Sequence, residues 1–178
     1  GVAQGMDILL DLAERLRPRR DLGFLLVGRG SDVPRLKADA EARRLDNVLF
    51  HDELEPWEIP GLLAQCHIGL VALDPRHQTH NIPGKLLTYL QAGLPVLASI
   101  NPGNDLADLI HREGVGRVCT DHSVDTLQRL ALELADDRTG WEPTAARCRA
   151  LFAKQFSPVA AVRQIVAALM EVPGKAKG

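Results

Sequence analysis

Apolar runs of four to six residues alternate with longer amphipathic stretches through most of the chain. Residues 6–16 carry apolar side chains at helical spacing and stop before Pro18, which predicts an amphipathic helix. Residues 24–27, Phe-Leu-Leu-Val, are continuously apolar and end at Gly28-Arg29-Gly30, the pattern of a strand buried on both faces. Ser31 or Asp32 caps a second helix reaching about Leu45, with Pro34 in its first turn, where a missing N–H costs nothing. The alternation then repeats. Residues 48–50 form a strand, 56–65 a helix, and 68–73 a strand closed by Asp74-Pro75. Pro83 or Gly84 opens a helix to Gln91, and Gly93-Leu94-Pro95 leads into a strand at 96–99. Residues 101–104 turn and cap a helix over 105–112, and 115–119 form the last strand. From Ser123 onward the periodicity is helical, with breaks at Thr139-Gly140 and Ser157-Pro158.

Five strands, each separated from the next by a helix, require crossover connections, and crossovers make neighbouring strands parallel. The predicted fold is therefore α/β: a doubly wound, Rossmann-like parallel sheet with extra C-terminal helices, in a single domain over residues 1–178. Such a domain ordinarily starts on a strand, whereas this chain enters through a glycine-containing turn that leads straight into a helix. The expectation is that the sheet lacks its first strand and that the sequence is one part of a longer chain.

Composition changes this picture little, but it removes partners. Twenty-one basic residues against twenty-three acidic ones leave a formal charge of -2, so no overall field draws the chain to nucleic acid or to an anionic membrane. No apolar run is long enough to span a bilayer. Cys66, Cys119 and Cys148 are too far apart for a CxxC pair or a local zinc clamp and sit among apolar neighbours, so they read as reduced, buried thiols of a cytoplasmic protein.

In an open parallel sheet, ligands bind beyond the carboxyl ends of the strands. The post-strand loops carry Gly28-Arg29-Gly30, His51-Asp52-Glu53, residues 74–83 and residues 99–104. The third is the longest and most polar, and it ends at Gly84-Lys85. There, free backbone N–H groups, the positive end of a helix dipole and an ammonium group converge as a candidate phosphate site. His77 and His80 lie in the same loop with only Asp74 near them, too few ligands for zinc, so no metal is expected. His51 follows a strand and is placed at the crevice, whereas His67, His111 and His122 read as surface or core. Gly28-Arg29-Gly30 is half of a dinucleotide fingerprint and too little for NAD, and no organic cofactor is expected.

The segments Val27-Gly28-Arg29-Gly30, Asn47-Val48-Leu49-Phe50, Cys66-His67-Ile68-Gly69-Leu70, Asn81-Ile82-Pro83-Gly84-Lys85 and Ala92-Gly93-Leu94-Pro95-Val96-Leu97-Ala98-Ser99 resemble, in that order, the C-terminal, donor-binding half of a retaining family 4 (group 1) GT-B glycosyltransferase. The likeness is nearest to the bacterial transferases that add N-acetyl-L-fucosamine or a related aminosugar in surface polysaccharide and lipopolysaccharide assembly. It implies a nucleoside diphosphate sugar, such as a UDP-aminosugar, as donor and a glycan or lipid-linked acceptor held by an N-terminal domain outside this chain. Any membrane contact would be made through that other half, and the isolated chain would bind donor without turning it over. No protein nucleophile is implied. The implied donor-binding residues are Gly28, Arg29, His51, His80, Asn81, Ile82, Pro83, Gly84, Lys85 and Thr88. His80 and Thr88 stand where the family carries a pair of glutamates, and Gln4 stands near where it commonly has a basic residue, a charge that Lys85 or Arg29 would supply here. A nucleotide-sugar epimerase half and a non-catalytic flavodoxin-like module are the competing readings; the first needs paired carboxylates at the sugar, and Asp74 and Asp105 are single.

Overall fold

The computed structural model describes residues 5–74, 76 and 83–170. Helix and strand alternate as α1 (Asp7–Leu16), β1 (Phe24–Val27), α2 (Val33–Ala42), β2 (Val48–His51), α3 (Ile59–Leu63), β3 (Gly69–Ala72), α4 (Gly84–Ala92), β4 (Val96–Ser99), α5 (Asp105–Glu113) and β5 (Gly116–Cys119). Three further helices follow: α6 (Val124–Asp136), α7 (Trp141–Leu151) and α8 (Pro158–Met170), the last two joined through a π-helical turn at Phe152–Phe156.

Every strand pairing is parallel. β1 pairs with β2, Phe24 opposite Val48 and Val27 opposite His51. β4 lies between β3 and β5, with Val96 opposite both Gly69 and Gly116. The strands form a two-stranded and a three-stranded sheet, and among the described residues no ladder joins them.

Side-chain alternation sends neighbouring residues of β4 into different cores. Val96 and Ala98 pack with Leu86 and Leu90 of α4, Leu106 and Ile110 of α5, and Cys148 of α7. Leu97 faces the other way, onto Leu12 and Leu16 of α1 and Leu127 and Leu130 of α6. Helices therefore cover both faces, and all four residues of β4 are buried. A third core packs Leu10 and Ala13 of α1 with Leu36 and Ala40 of α2, against Phe24, Leu26, Val48 and Phe50.

The helix starts carry the expected chemistry. Asn104 is buried and accepts the Leu106 N–H at 2.9 Å, and Ser123 accepts the Thr126 N–H at 3.4 Å. Cys119 and Cys148 are buried free thiols, and Cys66 is half-buried. Burial pushes the Cys148 thiol up to about 11.

Four expectations are corrected. β1 is not buried on both faces: Val27 is 41% exposed, and Leu49 on β2 is 62% exposed, because neither outer edge of this two-stranded sheet has a ladder partner among the described residues. The helix expected over 56–65 is only Ile59–Leu63, preceded by a turn in which Trp57 points into solvent. α2 ends at Ala42 rather than near Leu45, because Arg44 turns the chain with a φ of 56°. His122, read as surface or core without regard to the strand before it, lies in the turn between β5 and α6. On α8, Val159, Val162 and Val166 are exposed. No helix among the described residues is long and apolar enough to cross a membrane.

Candidate functional site

α4 is oriented by Leu86 and Leu90, both fully buried in the core beneath β3 and β4. That anchoring places Lys85, Thr88 and Tyr89, spaced three and four residues apart, on a shared face, and all three line one cavity. The helix enters from Pro83, which is extended (φ −62°, ψ 134°) and offers no side-chain cap. The first N–H groups of any helix lack intrahelical acceptors, and here they come with the positive end of a helix dipole. Lys85, the second residue of α4, is half-buried, and its burial pushes the ammonium below the usual lysine range. Lowered hydration of a cation strengthens its attraction for an anion. The Thr88 hydroxyl donates to the Gly84 carbonyl at 3.5 Å, leaving its oxygen lone pairs available to a ligand hydroxyl.

The loop after β1 closes the same cavity. Gly28 has a φ of 135°, a conformation L side chains rarely adopt, while its N–H extends the parallel ladder onto the His51 carbonyl at 3.1 Å. A Cβ added at Gly28, Gly30 or Gly84 would meet nothing within 4 Å, so a ligand can approach the backbone at each. Gly28, Arg29, Lys85 and Thr88 thus line a common cavity of about 1310 Å³. Arg29 is not an uncommitted cation. Its Nε lies 2.6 Å from Glu53 Oε2, an ion pair between the loops after β1 and β2 that stays in solvent, with Arg29 85% exposed.

The remaining expected residues divide differently. His51 is the last residue of β2, exposed, with Nδ1 at 2.9 Å from the Asp52 carbonyl, and it does not line the cavity. Pro83 and Gly84 shape the start of α4 without lining the cavity. His80, Asn81 and Ile82 lie outside the described residues, as do Gln4 and His77. Asp74 is buried at the end of β3 and bonded to Arg76, whose Nη2 is 2.5 Å from Oδ2, so it is no free base. Among the described residues no group of three or more histidines, cysteines or carboxylates could hold a metal ion.

Two features went unread in the sequence. Tyr89 lines the cavity, its hydroxyl donating to the Leu70 carbonyl at 3.4 Å. At the carboxyl ends of β4 and β5, His122 Nε2 lies 2.9 Å from Asn101 Oδ1 and Nδ1 lies 3.4 Å from Ser99 Oγ. With the Nε2 proton donated to Asn101, Nδ1 accepts from the Ser99 hydroxyl, and the three side chains tie two post-strand loops together. The position of His122 just after a strand was the available signal.

Parallel sheets covered by helices, with a glycine loop and a cationic helix start meeting at the strand ends, define a Rossmann-like α/β domain. Residues 2–137 match the family described as glycosyl transferases group 1, and the chain belongs to that family. It is 24% identical, over 136 residues, to the probable glycosyltransferase WbjE of Pseudomonas aeruginosa, a match covering 76% of this chain and 34% of that protein. Among solved structures it is similar to WaaG, a glycosyltransferase involved in lipopolysaccharide biosynthesis, with a TM-score of 0.71 and 19% identity over 96% of this chain and 44% of that one. It is also similar to HepE of Anabaena, solved with UDP and glucose, with a TM-score of 0.76 and 19% identity over 97% of this chain and 46% of that one. These structural neighbours are GT-B glycosyltransferases. The chain spans about a third of the length of WbjE and less than half of WaaG and HepE.

Proposed function

We propose that this chain is the donor-binding half of a retaining glycosyltransferase that moves an aminosugar from a UDP-sugar to a glycan or lipid-linked acceptor in polysaccharide assembly. The observation that carries this reading is the meeting of Gly28, Lys85 and Thr88, from two separate elements, on one cavity that runs along the strands and reaches the carboxyl end of β1. The structures of HepE with UDP and glucose and of the pneumococcal transferase GtfA with UDP and GlcNAc support it by likeness of fold.

Transfer from a nucleoside diphosphate sugar builds negative charge on the departing diphosphate. Fixed dipoles and cations in a partly dehydrated site stabilise such charge at little reorganisation cost, often the largest single catalytic contribution. Lys85 and the N–H groups at the start of α4 fill that role, and Thr88 takes a hydroxyl of the ribose. In a retaining transfer of this kind the leaving phosphate accepts the acceptor's proton on the same face, so no protein nucleophile is needed. The acceptor is held by the rest of the protein, and the isolated chain binds donor without turnover.

Calorimetric titration with UDP, beside ADP and GDP, tests the reading. Saturable UDP binding that is weakened by Lys85→Ala is the expected result. Equal affinity in the variant moves the diphosphate away from α4, and no binding by a folded chain removes the donor assignment.

A further inference from the structure

We infer that Arg147, Cys148 and Arg149 of α7 are positioning residues: together they hold the carboxyl ends of α4 and α5, and through α4 they fix where Lys85 and Thr88 stand at its other end. The two helices end alike. After α4, Gly93 has a φ of 79°, its N–H donates to the Leu90 carbonyl at 3.1 Å, and the Leu94 N–H donates to the Tyr89 carbonyl at 2.9 Å. After α5, Gly114 has a φ of 62°, its N–H donates to the His111 carbonyl at 3.2 Å, and the Val115 N–H donates to the Ile110 carbonyl at 3.2 Å. Each is a glycine-ended helix stop that turns the chain into the next strand. The last carbonyls of each helix form the negative end of its dipole, so each end suits a cation.

α7 supplies one to each. Only Cys148 and Leu151 of this helix are buried, so it meets the core along a narrow stripe, and the residues on either side of Cys148 diverge from it by about 100° each way. Arg147 goes to α5: its Nε donates to the Gly114 carbonyl at 2.9 Å, while its Nη2 is held by the Thr144 hydroxyl at 2.6 Å. Arg149 goes to α4: a Cβ on Gly93 would collide with its Nη1, and its Nη2 is held by Glu142 at 2.8 Å. Between them, Cys148 Sγ lies 3.5 Å from the carbonyl oxygen of Leu94 and 3.8 Å from that of Val115, the residues that follow the two glycines. Three consecutive residues thus address the same feature twice, once in each helix.

The placement of α4 follows from this. The helix is a rod about 12 Å long between Lys85 and Gly93. Its buried contacts through Leu86 and Leu90 are apolar and non-directional, and they resist departure from the core more than sliding within it. The directional contacts lie at the α7 end and at Tyr89, whose hydroxyl reaches the Leu70 carbonyl of β3 at 3.4 Å. A shift at Gly93 carries Lys85 and Thr88 with it, and a misplacement of about 1 Å is enough to weaken a preorganised site. None of the three α7 residues lines the cavity, so their effect on a ligand is transmitted through α4. The inference rests on the donor reading for what Lys85 and Thr88 do, and on α7 for how they are placed.

Tyr89 is the only tyrosine of the chain, so an isotope label at tyrosine Cζ gives one NMR line. Burial pushes its hydroxyl above the ordinary tyrosine value, and the line and its titration midpoint report the register of α4 with or without nucleotide. Arg147→Met combined with Arg149→Met should shift the line, lower its midpoint toward the ordinary value and weaken UDP binding by about threefold or more. Arg147→Lys combined with Arg149→Lys keeps a cation and a donor in each place and should restore both. Leu130→Val, which thins the other core from α6, should lower the thermal midpoint and leave the line in place. If the methionine pair does not fold, the two single methionine variants are read in the same way. The inference is overturned if folded methionine variants keep the parent line, if the lysine pair fails to restore it, if Leu130→Val moves it as far, or if the line moves with UDP affinity unchanged. A parent chain that binds no UDP removes the donor reading alone, and the Tyr89 line then decides the placement of α4 by itself.

Discussion

Arg29 and Glu53 join the loops after β1 and β2 through a 2.6 Å ion pair at the rim of the candidate site. An exposed pair of this kind contributes about 0–1 kcal/mol to stability, so its interest lies in what it does to the local charge. Glu53 neutralises the cation that would otherwise face a diphosphate. Glu53→Gln should leave the thermal midpoint almost unchanged and tighten UDP binding by up to about fivefold, the equivalent of ~1 kcal/mol. Calorimetry on the two proteins checks it, and Arg29→Ala combined with Glu53→Gln should remove the gain.

Lys85→Ala should weaken UDP binding by about 1.5–3 kcal/mol, the range for a hydrogen bond to a charged group. Burial lowers the ammonium pKa from its ordinary value. Only the protonated form attracts the anion, so once the diphosphate is fully ionised affinity falls as pH rises through the lowered pKa, earlier than an exposed lysine would allow. Lys85→Arg, which stays charged, should bind with a flatter alkaline limb.

Thr88→Glu restores a carboxylate where the resembling family carries one. Thr88 gives up only a 3.5 Å bond to the Gly84 carbonyl, and the position lines the cavity, so the variant should fold and keep UDP binding. A folded variant that no longer binds nucleotide would show that this side of the pocket has been rebuilt around the threonine.

Asp121 gathers donors from the Cys119 thiol, the Ser123 N–H and the Thr126 hydroxyl at the start of α6. Together they lower its carboxyl from 3.8 to about 2. A folded-state pKa below the unfolded one stabilises at pH above about 4, and the contribution is lost as pH falls toward 2. Thermal midpoints measured between pH 5 and pH 2 should therefore fall less steeply for Asp121→Asn than for the parent chain.

The order of elements was legible because parallel strands under helices need continuous apolar runs, and Val96–Ser99 is such a run with all four residues buried. Phe24–Val27 has the same composition but a different fate: whether Val27 is covered depends on the strand next to it, which local sequence does not encode. The start of α4 was readable from Pro83-Gly84-Lys85, since proline, glycine and a cation each have a physical preference there. The Arg29–Glu53 pair was not, because its partners come from separate loops brought together by the pairing of β1 with β2. His51 and His122 show the same limit: both follow strands, yet only His122 is held by partners from a neighbouring loop.

α1 presents Leu12 and Leu16 to the core around β4 and β5, and Leu10 and Ala13 to the core around β1 and β2. It thus joins the two pieces of sheet, beside Phe24 of β1, which packs against the Leu97 core, and it is reinforced by Arg43 of α2 reaching Asp11. A helix in that position sets the cooperativity of unfolding. While α1 stays docked the molecule melts as a unit; once it lifts, the β1–β2 layer is free to open as a subglobal fluctuation and leave the β3–β4–β5 layer standing. Half of the candidate cavity, the half carrying Gly28 and Arg29, would leave with it, so the lifetime of a bound ligand is tied to how firmly one ten-residue helix is held.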